Sequence, residues 1–178
     1  MMASVRRVPS LVAGSLIALT ACTTSVQTDQ GSGAYVNEEA GFAIEGPEGW
    51  VQQENVAGST VSFLVPVPPE DGFAENINVI VQDAGPMGLE EYTELSLEEL
   101  HGLGNGAEVV EEGEAELGGQ PAHRAVTRTN MEGRDLRILQ LWTIHEGRAY
   151  VLTYTAEEGD YEAPLKAAEA SFASFRFV

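Results

Sequence analysis

An α+β domain built around an antiparallel sheet is the expected architecture of this 178-residue chain. Short apolar stretches of period two recur along it, Gly-containing dipeptides separate several of them, and two further stretches carry apolar residues at helical spacing. Phe42 to Glu45 gives the first strand signal and leads into the turn-rich Gly46-Pro47-Glu48-Gly49-Trp50. Val61, Phe63 and Val65 alternate with Ser62, Leu64 and Pro66, and Ile77, Val79 and Val81 alternate with Asn78, Ile80 and Gln82. Pro66, Pro68, Pro69 and Gly72 break the chain between these two strands, giving a surface loop.

The first helix is expected from Leu89 to Leu103. Leu89, Tyr92, Leu100 and Leu103 fall on one side at 100° per residue, and Glu90, Glu91, Glu94 and Glu98 on the other. Glu90, Glu94 and Glu98 repel at i,i+4, costing about 0.2–0.5 kcal/mol per pair at low salt. A left-handed cap at Gly104 or Gly106 ends it. Strands then follow at Glu108 to Glu112, Glu114 to Leu117, Ala122 to Thr129, Asp135 to His145 and Ala149 to Thr155. Gly118-Gly119, Glu132-Gly133 and Glu146-Gly147 mark tight turns, which makes these strands antiparallel neighbours. In Asp135–His145, Leu136, Ile138, Trp142 and Ile144 point one way and Leu139 and Leu141 the other. A strand apolar on both parities belongs in the middle of a sheet covered on both faces. A second helix begins between Asp160 and Pro164, with Leu165, Ala168 and Phe172 as its apolar stripe. Ser174-Phe175-Arg176-Phe177 closes the chain as a short strand.

The N-terminal segment is different in kind. Arg6 and Arg7 precede an apolar run from Leu11 to Ala21, the layout of an export signal. That run is too short to cross a bilayer, which needs about 20 residues. It ends at Leu19-Thr20-Ala21-Cys22, which resembles the lipobox of bacterial lipoproteins. The resemblance implies cleavage after Ala21 and a diacylglycerol thioether, with palmitate-type chains, on Cys22. Several acyl chains, at about 0.8 kcal/mol per buried methylene, anchor stably. The Arg6-Arg7 pair leaves export by the general or the twin-arginine route open, although Val8-Pro9-Ser10 lacks the aromatic and Leu usual for the latter. Thr23 to Gly33, rich in Thr, Ser, Gln and Gly, reads as a tether spanning on the order of 20 Å. With its only cysteine so used, the chain keeps no thiol for a disulfide, a nucleophile or a metal.

Charge is unevenly placed. The 9 basic residues include Arg6 and Arg7, so a chain cut after Ala21 sets 28 acids against the remaining seven, near −21. No Lys or Arg occurs between Thr23 and His123. Such a charge repels nucleic acid and anionic headgroups, and excludes nucleic-acid binding, which needs a basic footprint. Two readings of the acidity stand: a solvated surface suited to a salty medium, or a docking surface for a basic partner or cations.

Four stretches together resemble the PsbP-like family, in particular its bacterial lipoproteins of the LpqN type. They are Gly41-Phe42-Ala43-Ile44 with Pro47 and Gly49-Trp50; Asn78-Val79-Ile80-Val81; Leu117-Gly118-Gly119-Gln120-Pro121-Ala122; and Ser171-Phe172 with Ser174-Phe175-Arg176-Phe177. The resemblance implies a PsbP-like α/β sandwich, a central antiparallel sheet flanked by helices on both faces, over residues 34–178. Residues 1–21 are then the signal peptide and 22–33 the lipidated cysteine and tether. The family brings no shared catalytic residues, and its members mostly act as binding or assembly factors.

No catalytic, metal or cofactor residue is assigned. His101, His123 and His145 show no ligand spacing. Asp29, Asp71, Asp83, Asp135 and Asp160 occur singly rather than in a calcium loop, and Glu90, Glu94 and Glu98 read as a solvated face. Gly102-Leu103-Gly104-Asn105-Gly106 follows a helix rather than a strand and reads as a terminating loop, not a phosphate cradle. Trp50, Trp142 and Tyr154 are expected in the core, the alternative being the wall of a groove between sheet and helix. The expected function is a non-catalytic, extracytoplasmic, lipid-anchored binding or assembly module with an envelope protein partner. Against it stand a binder of a small hydrophobic or cationic ligand, favoured by a deep apolar pocket, and an envelope enzyme, favoured by a cleft holding two Glu with raised pKa values or a His–carboxylate pair. Fractionation of cells expressing Cys22→Ala checks the anchor: the variant leaves the membrane fraction and its processing changes, whereas unchanged processing and membrane retention contradict it.

Overall fold

In the computed structural model the described residues are 33–66, 72–102 and 107–178. In chain order they form β1 (Tyr35–Asn37), β2 (Phe42–Ile44), β3 (Val51–Glu54), β4 (Val61–Leu64), β5 (Asn76–Asp83), α1 (Leu89–Gly102), β6 (Glu108–Leu117), β7 (Gln120–Met131), β8 (Arg134–His145), β9 (Arg148–Glu157), α2 (Glu162–Ala173) and β10 (Arg176–Phe177). The expected signal segment, Cys22, the tether up to residue 32, Pro68, Pro69, Asp71, Leu103, Gly104 and Gly106 lie outside the described residues.

The three expected Gly-bearing turns each join long strands by two residues. Both residues of every turn have positive φ: 59° and 78° at Gly118-Gly119, 54° and 84° at Glu132-Gly133, and 50° and 76° at Glu146-Gly147. That sign pattern is the type I′ turn, whose twist matches the strands it joins. The β6–β9 meander therefore has its register set locally, as in Leu139↔Tyr154 and Trp142↔Val151. With β5, β4 and β3 added beyond β9, the large sheet has seven antiparallel strands in the order β3-β4-β5-β9-β8-β7-β6. β8 is an interior strand, as its two apolar parities require, and β9 is the central one. Ala149 through Ala156 of β9 are all buried.

Alternate residues of these strands feed two cores. Leu139 of β8 and Tyr150, Leu152 and Tyr154 of β9 join Ile77 and Val79 of β5 in the larger core, with Phe42, Ile44, Ala168, Phe172 and Phe175 packed against them. On the opposite face Trp142, Ala149, Val151 and Ala125 meet Tyr92, with Leu89 and Leu97 of α1 alongside.

One expectation needs correction. Helical layers on both faces of one central sheet do not describe this molecule, which is mostly strand. Among the described residues there are two helices, of 14 and 12 residues, and a second sheet, β1-β2-β10. That small sheet shares the larger core with α2. The reason is local: Phe42 and Phe177 pair across β2 and β10, and the Phe42 ring stacks on Phe175 at 5.5 Å, so the chain end returns as a strand rather than extending the helix. Two hydrogen bonds fix that return, Ser171 Oγ to Glu45 O at 2.6 Å and Glu45 N to Ser174 Oγ at 2.8 Å. A second correction concerns β6, which is continuous through Gly113 and carries an irregularity between Val109 and Glu111. The sequence pattern missed β1 and β3, three and four residues long.

Gly118 is the turn residue with a second constraint. A Cβ there would sit 2.9 Å from Phe177 Cε2. Urea denaturation checks both kinds of turn position. Gly118→Val lowers stability by more than about 1 kcal/mol through the left-handed backbone alone, whereas Glu132→Asn raises it by roughly 0.5–1 kcal/mol because Asn tolerates positive φ. Unchanged midpoints for both contradict the turn assignment.

Candidate functional site

Each histidine is used in a different place. His101 is exposed at the end of α1. His145 stacks on Phe177 at 4.0 Å. His123 lies 5.0 Å from the Trp142 ring, and its Nε2 is 3.4 Å from Glu112 Oε2. This His–carboxylate pair is on the β6–β7 surface, and neither of the two grooves described below includes it. Of the aromatic residues, Trp142 is buried and donates from Nε1 to Thr93 Oγ1 at 2.9 Å, which ties α1 to β8. Tyr154 donates to the Tyr161 carbonyl at 2.8 Å, and Trp50 is half-buried against the larger core. All three therefore belong to packing.

A carboxylate cluster that sequence reasoning missed joins Glu75, Glu157 and Asp160, whose oxygens lie within 4.8 Å of one another. These are the residues that could hold a cation, but Glu157 is already ion-paired with Arg134 at 2.8 Å. Glu157 and Asp160 are close in sequence, but Glu75 stands more than 80 residues before them, so no local spacing signals the group. An open polar groove of roughly 660 Å³ runs between the β1–β2 turn and the ends of β5 and β9, with Asn37, Glu39, Asp83, Glu146 and Arg148 along it. Arg148 donates to the Glu39 carbonyl at 2.8 Å, so a guanidinium already sits among those carboxylates. A second open groove, of roughly 540 Å³, lies along β1 beside Gln52 and Glu54. Neither has the enclosed apolar character of a small-molecule pocket.

The larger geometric feature is a separation of charge between the faces of the main sheet. On the α1 side, Glu90, Glu91, Glu94 and Glu98 are exposed, and beside the helix Glu112, Glu114 and Glu116 are exposed along β6. On the opposite side, Arg124 and Arg128 share the parity of Val126, and Arg137 that of Leu139. There they are held by glutamates: Arg124 to Glu111 at 3.1 Å, Arg128 to Glu158 at 3.1 Å, and Arg137 to Glu162 at 3.1 Å and over the Tyr161 ring at 4.3 Å. Sequence reasoning found the acids but not this segregation, which depends on strand parity.

A small layered β domain with a charge-divided sheet and ring-filled cores is the class these features define. A model of the PsbP family matches residues 30–177, and the chain belongs to that family. Among solved structures it is similar to cyanobacterial PsbP (CyanoP) from Synechocystis, with a TM-score of 0.64 and 16% identity over 90% of this chain and 99% of that one. It is also similar to LpqN of Mycobacterium tuberculosis, described as involved in cell envelope biogenesis, with a TM-score of 0.66 and 15% identity over 82% of this chain and 90% of that one. A Bacteroides thetaiotaomicron protein gives a TM-score of 0.57 and 17% identity over 84% of this chain and 49% of that one. No curated protein sequence matches the chain.

Burial also raises four tyrosine phenols. It holds Tyr92 and Tyr154 well above the usual tyrosine range, and Tyr35 and Tyr161 are raised for the same reason. The folded chain thus keeps protons that the unfolded chain releases above about pH 10, so the contribution of these tyrosines to stability is level below that pH and falls as pH climbs past it. Absorbance at 295 nm checks this: the phenolate signal of these residues rises together with loss of the far-ultraviolet strand signal. Full ionisation with the sheet intact contradicts it.

Proposed function

We infer that the chain is a lipid-tethered, non-catalytic docking module on the extracytoplasmic face of a cell membrane, binding a basic envelope protein through the acidic α1 side of its large sheet. The observation that carries this reading is the segregation of charge. The exposed acids of α1 and Glu112, Glu114 and Glu116 of β6 stand together on one side, while Arg124, Arg128 and Arg137 are spent on ion pairs on the other. An anionic bilayer repels the acidic side, leaving it turned outward and available to a positively charged surface. LpqN, which shares the fold, is described as involved in cell envelope biogenesis, and this supports an envelope setting.

The alternatives have less behind them. A hydrophobic ligand would need an enclosed apolar pocket, and the two described grooves are open and polar. A cationic ligand would meet Arg148 among the groove carboxylates. An enzyme built on His123 and Glu112 would rely on an imidazole Nε2 shut off from solvent, and neither described groove reaches it.

Pull-down of the native lipoprotein from solubilised envelope, with washes of rising salt, tests the reading. Its protein partners dissociate between about 0.1 and 1 M salt, as the Debye length contracts from about 10 to 3 Å. Retention of every partner at 1 M contradicts an electrostatic dock.

A further inference from the structure

We propose that the outer edge of β6 receives an extended segment of the basic partner as an added antiparallel strand, with the segment's Lys and Arg side chains alternating against the β6 glutamates. This rests on the acidic docking reading and names both the place and the mode of contact.

β6 is the last strand of the seven-stranded sheet and pairs with β7 on one side. Among the described residues no strand pairs with its other side. At 10 residues it is long for an edge, since strands average five or six, and an open edge presents a row of backbone donors and acceptors that templates another strand.

Side chains decide which strand can come. Glu112, Glu114 and Glu116 recur at every second residue on the α1 side, so they stand roughly 7 Å apart along the edge. Within the sheet, Glu112 is opposite Ala125 and lies near His123, Glu114 is opposite His123, and Glu116 is opposite Pro121. No guanidinium of β7 is opposite any of the three. On the other face Glu111 already bridges Arg124 and Arg137. Apart from Glu108, which is opposite Arg128 at the start of the strand, the open acids of the edge lie on one parity, the one that faces the same way as the acids of α1. An incoming antiparallel strand sets one side chain directly opposite each glutamate, where opposite charges attract and like charges destabilise. A second copy of β6 would bring Glu against Glu, so the same residues discourage self-pairing while selecting a basic strand.

The probe is a ten-residue peptide alternating Lys with Thr or Val, titrated by calorimetry into the full chain lacking its lipid. Binding is expected to weaken tenfold or more in Glu112→Gln/Glu114→Gln/Glu116→Gln, whose three positions are exposed and leave the core untouched. Two N-methylated peptides give a readout that needs no variant, one methylated at the Lys amides and the other at the intervening amides. A strand added by one edge tolerates one set and loses tenfold or more with the other. Equal affinity for all three peptides, equal loss with both methylated ones, or no effect of the triple substitution overturns the proposal. Salt-sensitive capture of envelope partners that survives the triple substitution leaves the acidic dock standing and removes β6 from it. Salt-insensitive capture removes the dock itself.

Discussion

The two-sided burial of β9 is the constraint from which the rest of the architecture follows. Eight consecutive residues, Ala149 to Ala156, are withdrawn from water, and in a strand such a run must be covered above and below. One cover is α1, tied down by Trp142 and Tyr92. The other is composite: α2 lies beside a three-stranded sheet whose Tyr35 and Phe42, with Phe175 just before β10, interleave with Tyr150 of β9. At about 25 cal/mol per Å² of apolar surface buried, these ring contacts are among the largest single contributions to the fold. Without a disulfide in the described core, that packing carries the stability.

Charge is arranged on this frame by parity alone. Once Ala125 and Trp142 must face α1, Arg124 and Arg137 are forced to the other side, where they meet Glu111 and Glu162. The same rule sends Glu112, Glu114 and Glu116 to the α1 side, next to the helix acids. A sequence in which acids simply outnumber bases thus becomes a body whose α1 side carries a run of acids with no β7 arginine opposite them, while Arg124, Arg128 and Arg137 are ion-paired on the other side. Exposed ion pairs of this kind add little stability, typically under about 1 kcal/mol each, so their arrangement bears more on recognition than on folding.

Much of this was legible in the chain. The three Gly-bearing turns, the doubly apolar β8, the start of α2 within Asp160–Pro164 and the polar outer face of α1 follow from local pattern, because each depends on residues a few places apart. The stretches that resemble the PsbP family also have a physical meaning. Phe42 pairs with Phe177, Gly118 lies against Phe177 and Phe175, and Val79 joins the same core, so the likeness spells packing rather than chemistry. Longer-range facts were not legible. β1 is only three residues long and exists because β2 offers it an edge. The small sheet replaces an expected helical layer because Ser171, Ser174 and Glu45 bond across more than 120 residues of chain. Glu75, Glu157 and Asp160 come together only through the β5–β9 pairing and the turn into α2.

The claim on which the functional account turns is that the acidic α1 side, and not the α2 side, meets protein in the envelope. Photocrosslinking in intact cells addresses it directly, with the probe placed either at Glu94 on α1 or at Lys166 on α2, both exposed. The account predicts a discrete protein adduct from position 94 and none of comparable yield from position 166. Equal capture from both, or capture from 166 alone, would contradict it.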